Sequence, residues 1–183
     1  MSDPNVLTIC GSLRGASFNA RLLAIAEEEL SRLGASVSRY AGLRELPRYD
    51  EDLDTDTVPA EVAAFRAQVA AADIVLFATP VYNGSLPSGI RDVVDWVSRP
   101  MGNDRVKGKF VGCITASPGP NGGVGASEYL SNVMKFFGAT VVEPFTAVGT
   151  VMAQFDEAGD VNDQTRANLV ATAQALFEAA SAG

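Results

Sequence analysis

Residues 73–79 read Asp73-Ile74-Val75-Leu76-Phe77-Ala78-Thr79, one acid followed by five consecutive apolar side chains, a threonine and then Pro80. A strand with one face in water alternates polar and apolar residues. A continuously apolar strand is covered on both faces, usually in a parallel sheet with helices on each side. Working outward, four more β-rich runs stand at Asn5–Cys10, Ala35–Ala41, Phe110–Ala116 and Ala139–Phe145. Helical periodicity fills the intervals. Leu22/Leu23, Ala26, Leu30 and Leu33 recur at three to four residues, as do Val62, Phe65, Val69 and Ala72. So do Ile90, Val93/Val94 and Val97; Leu130, Val133/Met134 and Phe137; and Leu169, Ala173, Leu176/Phe177 and Ala180. Each series is the buried stripe of an amphipathic helix. Gly34 and Gly138 follow two of them as C′ residues, where a left-handed backbone suits glycine. Five βα units predict a doubly wound α/β sheet, helices on both faces, in a single domain over residues 1–183. Ligands of such sheets bind beyond the carboxyl ends of the strands, so the loops after the first, third and fourth strands are where function is sought.

Composition narrows the chemistry. The 183 residues carry 14 Lys+Arg against 22 Asp+Glu, a formal charge of −8, with two cysteines and no histidine. An acidic chain lacks the clustered cations of a nucleic-acid footprint, so no nucleic-acid partner is expected. Without histidine there is no Ser-His-Asp or Cys-His catalytic group, no His-ligated zinc or haem and no histidine base. The start, Met1-Ser2-Asp3-Pro4-Asn5, has no basic segment and runs into only a short apolar stretch, so neither a signal peptide nor a membrane partner is expected. Cys10 and Cys113 both lie in apolar runs and are expected to be buried thiols of a cytoplasmic protein.

The first loop reads Gly11-Ser12-Leu13-Arg14-Gly15-Ala16-Ser17-Phe18-Asn19, immediately ahead of a helix. A helix start presents free N–H groups and the positive end of its dipole. The hydroxyls of Ser12 and Ser17, the amide of Asn19 and the fork of Arg14 add donors around the same point, which is phosphate-binding chemistry. Taken alone the loop also fits a plain N-cap at Ser17 with Arg14 in solvent. Better-known phosphate loops fail on spacing. The fingerprint G-x-G-x-x-G lacks its second glycine, and the second strand ends at Tyr40-Ala41 without a ribose-binding acid. No lysine precedes Lys107, which excludes a triphosphate P-loop. Cys10 and Arg14 are too close for a low-molecular-weight phosphatase loop.

The second loop, Thr79-Pro80-Val81-Tyr82-Asn83-Gly84-Ser85-Leu86-Pro87, offers a flat aromatic face, an amide and a glycine that lets a planar ligand near the backbone. Pro80 is expected to end the strand's hydrogen bonding, and Ser85 alternatively caps the following helix. The third, Ser117-Pro118-Gly119-Pro120-Asn121-Gly122-Gly123, is richer in Gly and Pro than a connector needs and fits either a flexible turn or backbone packed on a heterocycle.

GSLRGASFN, TPVYNGSLPSGIRDVVDWVSRP and SPGPNGG, in that order at three strand ends, resemble the NADPH-dependent FMN reductase family. LPRYDEDL and GKFVGCITASPG extend the likeness across nearly the whole chain. The resemblance implies a flavodoxin-like five-stranded sheet of order 2-1-3-4-5, bound FMN, and NADPH or NADH as co-substrate. It implies that Ser12, Arg14, Ser17 and Asn19 hold the FMN phosphate. Pro80, Val81, Tyr82, Asn83, Gly84 and Ser85 would lie along the isoalloxazine ring, and Ser117, Gly119, Gly122 and Gly123 would close its other side. The acceptor it implies is a small molecule: a quinone, an azo compound, a metal oxyanion or free flavin, reduced in a ping-pong cycle. No side chain is then needed as the catalytic group, because the flavin carries the chemistry. A homodimer is implied, with Asp95, Trp96 and Arg99 resembling the helix that packs across it, although a lone tryptophan is more often simply core. Val81 departs from the family, which commonly has Glu there, an acid linked in some members to the contacts of a tetramer. The alternative on the same fold is a flavodoxin-type electron carrier that does not turn over NAD(P)H.

Asp50, Asp52, Asp54 and Glu61 imitate positions of a calcium loop, but Thr55 stands where glycine is required, so a solvated acidic loop and no metal is expected. In the order 2-1-3-4-5 the strands bearing Cys10 and Cys113 are separated by the third, which predicts no disulfide.

Overall fold

The computed structural model describes residues 3–99 and 105–182. Pro100, which closes the second motif, and Met1 and Ser2 lie outside them. Strands β1 (Asn5–Cys10), β2 (Ser36–Arg39), β3 (Ile74–Pro80), β4 (Phe110–Ala116), β5 (Thr140–Val141) and β6 (Thr146–Val148) form one sheet of order β2-β1-β3-β4-β5, with β6 also paired to β4. Every pairing is parallel. Helices α1 (Phe18–Arg32), α2 (Ala60–Ala71), α3 (Ser88–Val97), α4 (Val124–Phe136) and α5 (Asp163–Ala182) cover both faces. Leu22, Leu23, Ala26 and Leu30 of α1 share one core with Leu169, Ala173 and Leu176 of α5. Val62, Phe65 and Val69 of α2, the apolar stripe of α3, and Leu130 and Met134 of α4 pack in the core on the other side. β3 is buried along its whole length, the reason for its unbroken apolar run. Gly34 and Gly138 have φ of +107° and +81°, as C′ residues require.

The expected fifth strand, Ala139–Phe145, is corrected. Its position in the sheet is shared by two short strands, β5 pairing Phe110 and Val111, and β6 pairing Ile114 to Ala116. Between them runs Val142–Phe145, with a cis peptide at Glu143–Pro144. Pro144 has no N–H for a ladder bond, and pairing resumes only at Thr146. One smaller correction concerns β2, which is shorter than Ala35–Ala41, while Pro80 is the last residue of β3, opposite Ala116.

Trp96 is also reassigned. It is fully buried against the α2 side of the sheet, and its indole N–H donates to the Pro47 carbonyl at 2.7 Å, so in this chain it is core, while Asp95 on the same helix is exposed. Of the two cysteines only Cys113 is buried; Cys10, the last residue of β1, is half-buried, and both are free thiols. Phe77, paired with Cys113, lies on the strand between them.

Candidate functional site

The carboxyl ends of β1, β3 and β4 deliver their loops to one edge of the sheet, and a cavity of about 360 Å³ lies among them. Its polar lining comes chiefly from the first loop. Ser17 is the N-cap of α1 and accepts from the Ala20 N–H at 3.2 Å, which leaves its hydroxyl proton free to donate. Ser12 Oγ accepts from the Arg14 N–H at 3.4 Å and shapes the turn that carries the exposed guanidinium. Asn19, buried on the first turn, donates from Nδ2 to the Ala116 carbonyl at 3.4 Å. Its Oδ1 is buried without a hydrogen-bond partner among the described residues. Such a group is costly to leave unmatched and is found where a site is built for a ligand or an ordered water.

The rest of the cavity's lining is mainly apolar. Pro80, Val81 and Tyr82 line it from the second loop and Ala116 and Pro118 from β4 and beyond. Tyr82 is half exposed there, its ring unburied by other protein groups. Among the described lining residues there is no carboxylate and no cation besides Arg14. The arrangement suits an anionic, partly flat molecule, and among the described lining residues no acid–base pair stands ready to move protons.

Seven of the expected positions, Ser12, Arg14, Ser17, Asn19, Pro80, Val81 and Tyr82, line this cavity together. The other seven, Asn83, Gly84, Ser85, Ser117, Gly119, Gly122 and Gly123, do not line it. Tyr82 and Ser85 exchange backbone hydrogen bonds of 3.0 Å, with Asn83 at φ 53° and Gly84 at φ +73° between them. That is a primed two-residue turn, for which Asn-Gly is the favoured pair. Ser85 does not cap α3, which starts three residues later; its hydroxyl accepts from Arg91 at 3.3 Å. Ser117 and Gly119 are tied to the chain after β6: Ser117 N–H donates to Val148 O, Val151 N–H to Ser117 O and Thr150 N–H to Gly119 O.

Gly123 has φ +84° and caps α4. A Cβ there would collide with Val81 Cγ2, so this glycine is required by the wall of the cavity itself. Gly122 is buried against the backbone of Ala147 and Val148.

Sequence reasoning missed Phe18, Ala116, Pro118, Val151 and Met152, all of which line the cavity. Val151 and Met152 come from a fourth strand end, that of β6. The signal was present, since the strand-end rule applies to every strand, but a fifth strand placed at 139–145 puts that end in the wrong loop. Met152 is 69% exposed and leaves an apolar thioether at the cavity. Behind it Arg21 lies over the Phe155 ring at 4.1 Å and donates to the Gly159 carbonyl, and Phe155 packs on Phe18 at 5.0 Å between centroids.

No group of three or more potential metal ligands occurs among the described residues. Asp50 instead caps a short 3-10 turn at Glu51–Leu53, and Asp54 pairs with Arg66. Nor is any described helix long and apolar enough to cross a membrane.

Comparison with known proteins agrees with this geometry. A family model described as NADPH-dependent FMN reductase matches residues 4–153. A quinone reductase of Pseudomonas putida is 33% identical over 163 residues, covering 88% of this chain and 87% of that protein. An NAD(P)H-dependent FMN reductase of Pseudomonas aeruginosa is 32% identical over 170 residues, 92% of this chain and 90% of that protein. Among solved structures, the flavoenzyme NAD(P)H:(acceptor) oxidoreductase FerB of Paracoccus denitrificans superposes with a TM-score of 0.84 at 27% identity, covering 98% of each chain.

Proposed function

The chain belongs to the NADPH-dependent FMN reductase family, and on that premise we propose that its cavity holds FMN in an enzyme that passes reducing equivalents from NADPH or NADH to a small-molecule acceptor. The observation that carries this reading is one cavity lined both by the polar groups of Ser12, Arg14, Ser17 and Asn19 and by Pro80, Val81 and Tyr82. The residues fit the group. The Ser17 hydroxyl, the Arg14 guanidinium and the free N–H groups of the first turn of α1 bind the phosphate. Asn19 Oδ1, an acceptor without a donor, is matched by a hydroxyl of the ligand. Tyr82, Val81, Val151 and Met152 exclude water from the ring. When bound, FMN supplies the chemistry, taking two electrons as hydride from the nicotinamide and returning them to the acceptor. Backbone N–H groups of the second and third loops stabilise negative charge on the ring without themselves exchanging protons.

The acceptor class is a quinone, an azo compound, a metal oxyanion or free flavin. The chain works as one domain, in the cytoplasm, and as a homodimer. Support for the dimer lies in α4, which exposes Tyr129 and Phe136, the latter at 82%, while the buried Trp96 contributes nothing to it. The family match leaves the electron-carrier alternative without support of its own.

One experiment tests the reading. The purified protein, reconstituted with FMN, is expected to be yellow and to bleach rapidly on anaerobic addition of NADPH or NADH. A yellow protein that the dinucleotides leave oxidised would return the carrier reading, and failure to take up FMN at all would overturn both.

A further inference from the structure

A second cavity, of about 300 Å³, adjoins the first; Arg14 and Tyr82 line both. We propose that it is the subsite for the phosphate groups of the reduced pyridine dinucleotide, with Arg44 as the residue that reads them. The inference rests on the flavin reading of the first cavity and names where that reading's second substrate is held.

Its chemistry is cationic and flat. Arg44 spends one donor on the Leu13 carbonyl at 3.2 Å and leaves the rest of its fork free. Among the described residues neither Arg44 nor Arg14 belongs to an ion pair, in a chain whose formal charge is −8. The flavin phosphate takes up Arg14 in the loaded protein, so Arg44 is the guanidinium left for a second anion at this edge. The third element is the start of α3. Ser88 and Gly89 line the cavity, and the N-cap, Pro87, has no side chain to satisfy the first N–H groups. Leu43 and the half-exposed Leu13 and Tyr82 supply apolar surface beside these donors. A neutral quinone needs neither Arg44 nor the helix start, and a compact metal oxyanion has no use for the apolar surface of Leu13, Leu43 and Tyr82, whereas a pyrophosphate bridge carries two negative charges and joins two riboses that bear flat rings. A volume of 300 Å³ is at the small end for a ligand pocket. It takes the phosphate-bearing part of a dinucleotide and leaves the nicotinamide to reach the neighbouring cavity past Tyr82.

The test uses Arg44→Glu and Arg44→Lys in the FMN-loaded protein, with calorimetric titration by oxidised NAD⁺ and NADP⁺, which bind without reacting. Arg44→Glu is expected to weaken binding by ten-fold or more and to raise the KM for the reduced dinucleotide while kcat holds, with Arg44→Lys recovering part of the loss. An equal loss for both nucleotides places the pyrophosphate at Arg44; a loss confined to NADP⁺ places the 2′-phosphate there. Unchanged dissociation constants, or a raised KM for the acceptor instead, overturn the proposal. Titrating flavin-free protein with FMN separates the two readings. Arg44→Glu keeps the wild-type FMN affinity if only the subsite is at stake, whereas a wild type that ignores FMN removes the premise.

Discussion

Arginines line two quite different cavities in this molecule. Between α2 and the start of β4 lies a cavity of about 500 Å³ bordered by Arg66, Asp54 and Arg105. There Arg66 is 6% exposed and bound to Asp54 at 2.8 Å; its Nε donates to the Trp96 carbonyl at 2.9 Å, and its guanidinium lies 5.5 Å from the Trp96 ring. At the carboxyl edge of the sheet, Arg14 and Arg44 are exposed and belong to no ion pair among the described residues. A charge matched by protein groups on every side is structural, since desolvating it is tolerable only with those partners in place. A charge held at a cavity without a partner is available to a ligand. Arg66 is therefore a structural group, whereas Arg105 at the same cavity belongs to no ion pair among the described residues and its buried Nε has no hydrogen-bond partner.

The strongest way to break the comparison is Asp54→Ala. It strands a buried guanidinium, and removing one partner of such a pair costs about 3–5 kcal/mol. For a chain of this size that lowers the thermal midpoint by roughly 10 °C. FMN affinity below the transition is expected to be unchanged. Thermal melts and flavin titration on the same preparation check both halves, and a loss of flavin binding without a loss of stability would reverse the assignment of the two regions.

Arg14→Ala is the converse experiment, with a smaller effect. No folded-state ion pair is broken, so the flavin-free melt is expected to match the wild type. A charge-assisted hydrogen bond contributes about 1.5–3 kcal/mol, so FMN binding weakens roughly 10- to 100-fold. Flavin fluorescence quenching measures it. Full flavin content after purification would mean that the phosphate is held elsewhere.

The contrast also explains what could be read from the sequence. The doubly wound sheet and both faces of helices were legible because continuous apolar runs and three-to-four periodicity are direct consequences of burial on two sides, whereas the strand order 2-1-3-4-5 came from the family resemblance alone. Seven cavity residues were legible because Ser12, Arg14, Ser17, Asn19, Pro80, Val81 and Tyr82 sit within a few residues of strand ends. Val151 and Met152 were not, because the strand preceding them is three residues long and follows a break at Pro144 that composition does not reveal. Asn83 and Gly84 form the turn between Tyr82 and Ser85, a role that their choice as ligand groups did not anticipate. The burial of Arg66 was invisible as well, since its carboxylate lies twelve residues away in a loop that looked merely solvated.

The two cysteines sharpen the comparison with the least perturbation. Cys10 ends β1 at the foot of the first loop, half-buried, with Sγ 3.7 Å from the Ser12 carbonyl. Cys113 is enclosed in β4, and burial pushes its thiol up to about 12. Because the thiolate is the reactive form, Cys113 is almost wholly protonated at pH 8 and also shielded. A thiol reagent applied to the native protein is therefore expected to label one residue, Cys10, with Cys113 appearing only on unfolding, and stability is unaffected by either free thiol. Bound FMN covers the first loop and should slow the Cys10 reaction severalfold while leaving the denatured count at two. If flavin left the Cys10 rate untouched, the ligand would not be lying over the loop that ends β1. Peptide mapping of the labelled protein, with and without FMN, decides it.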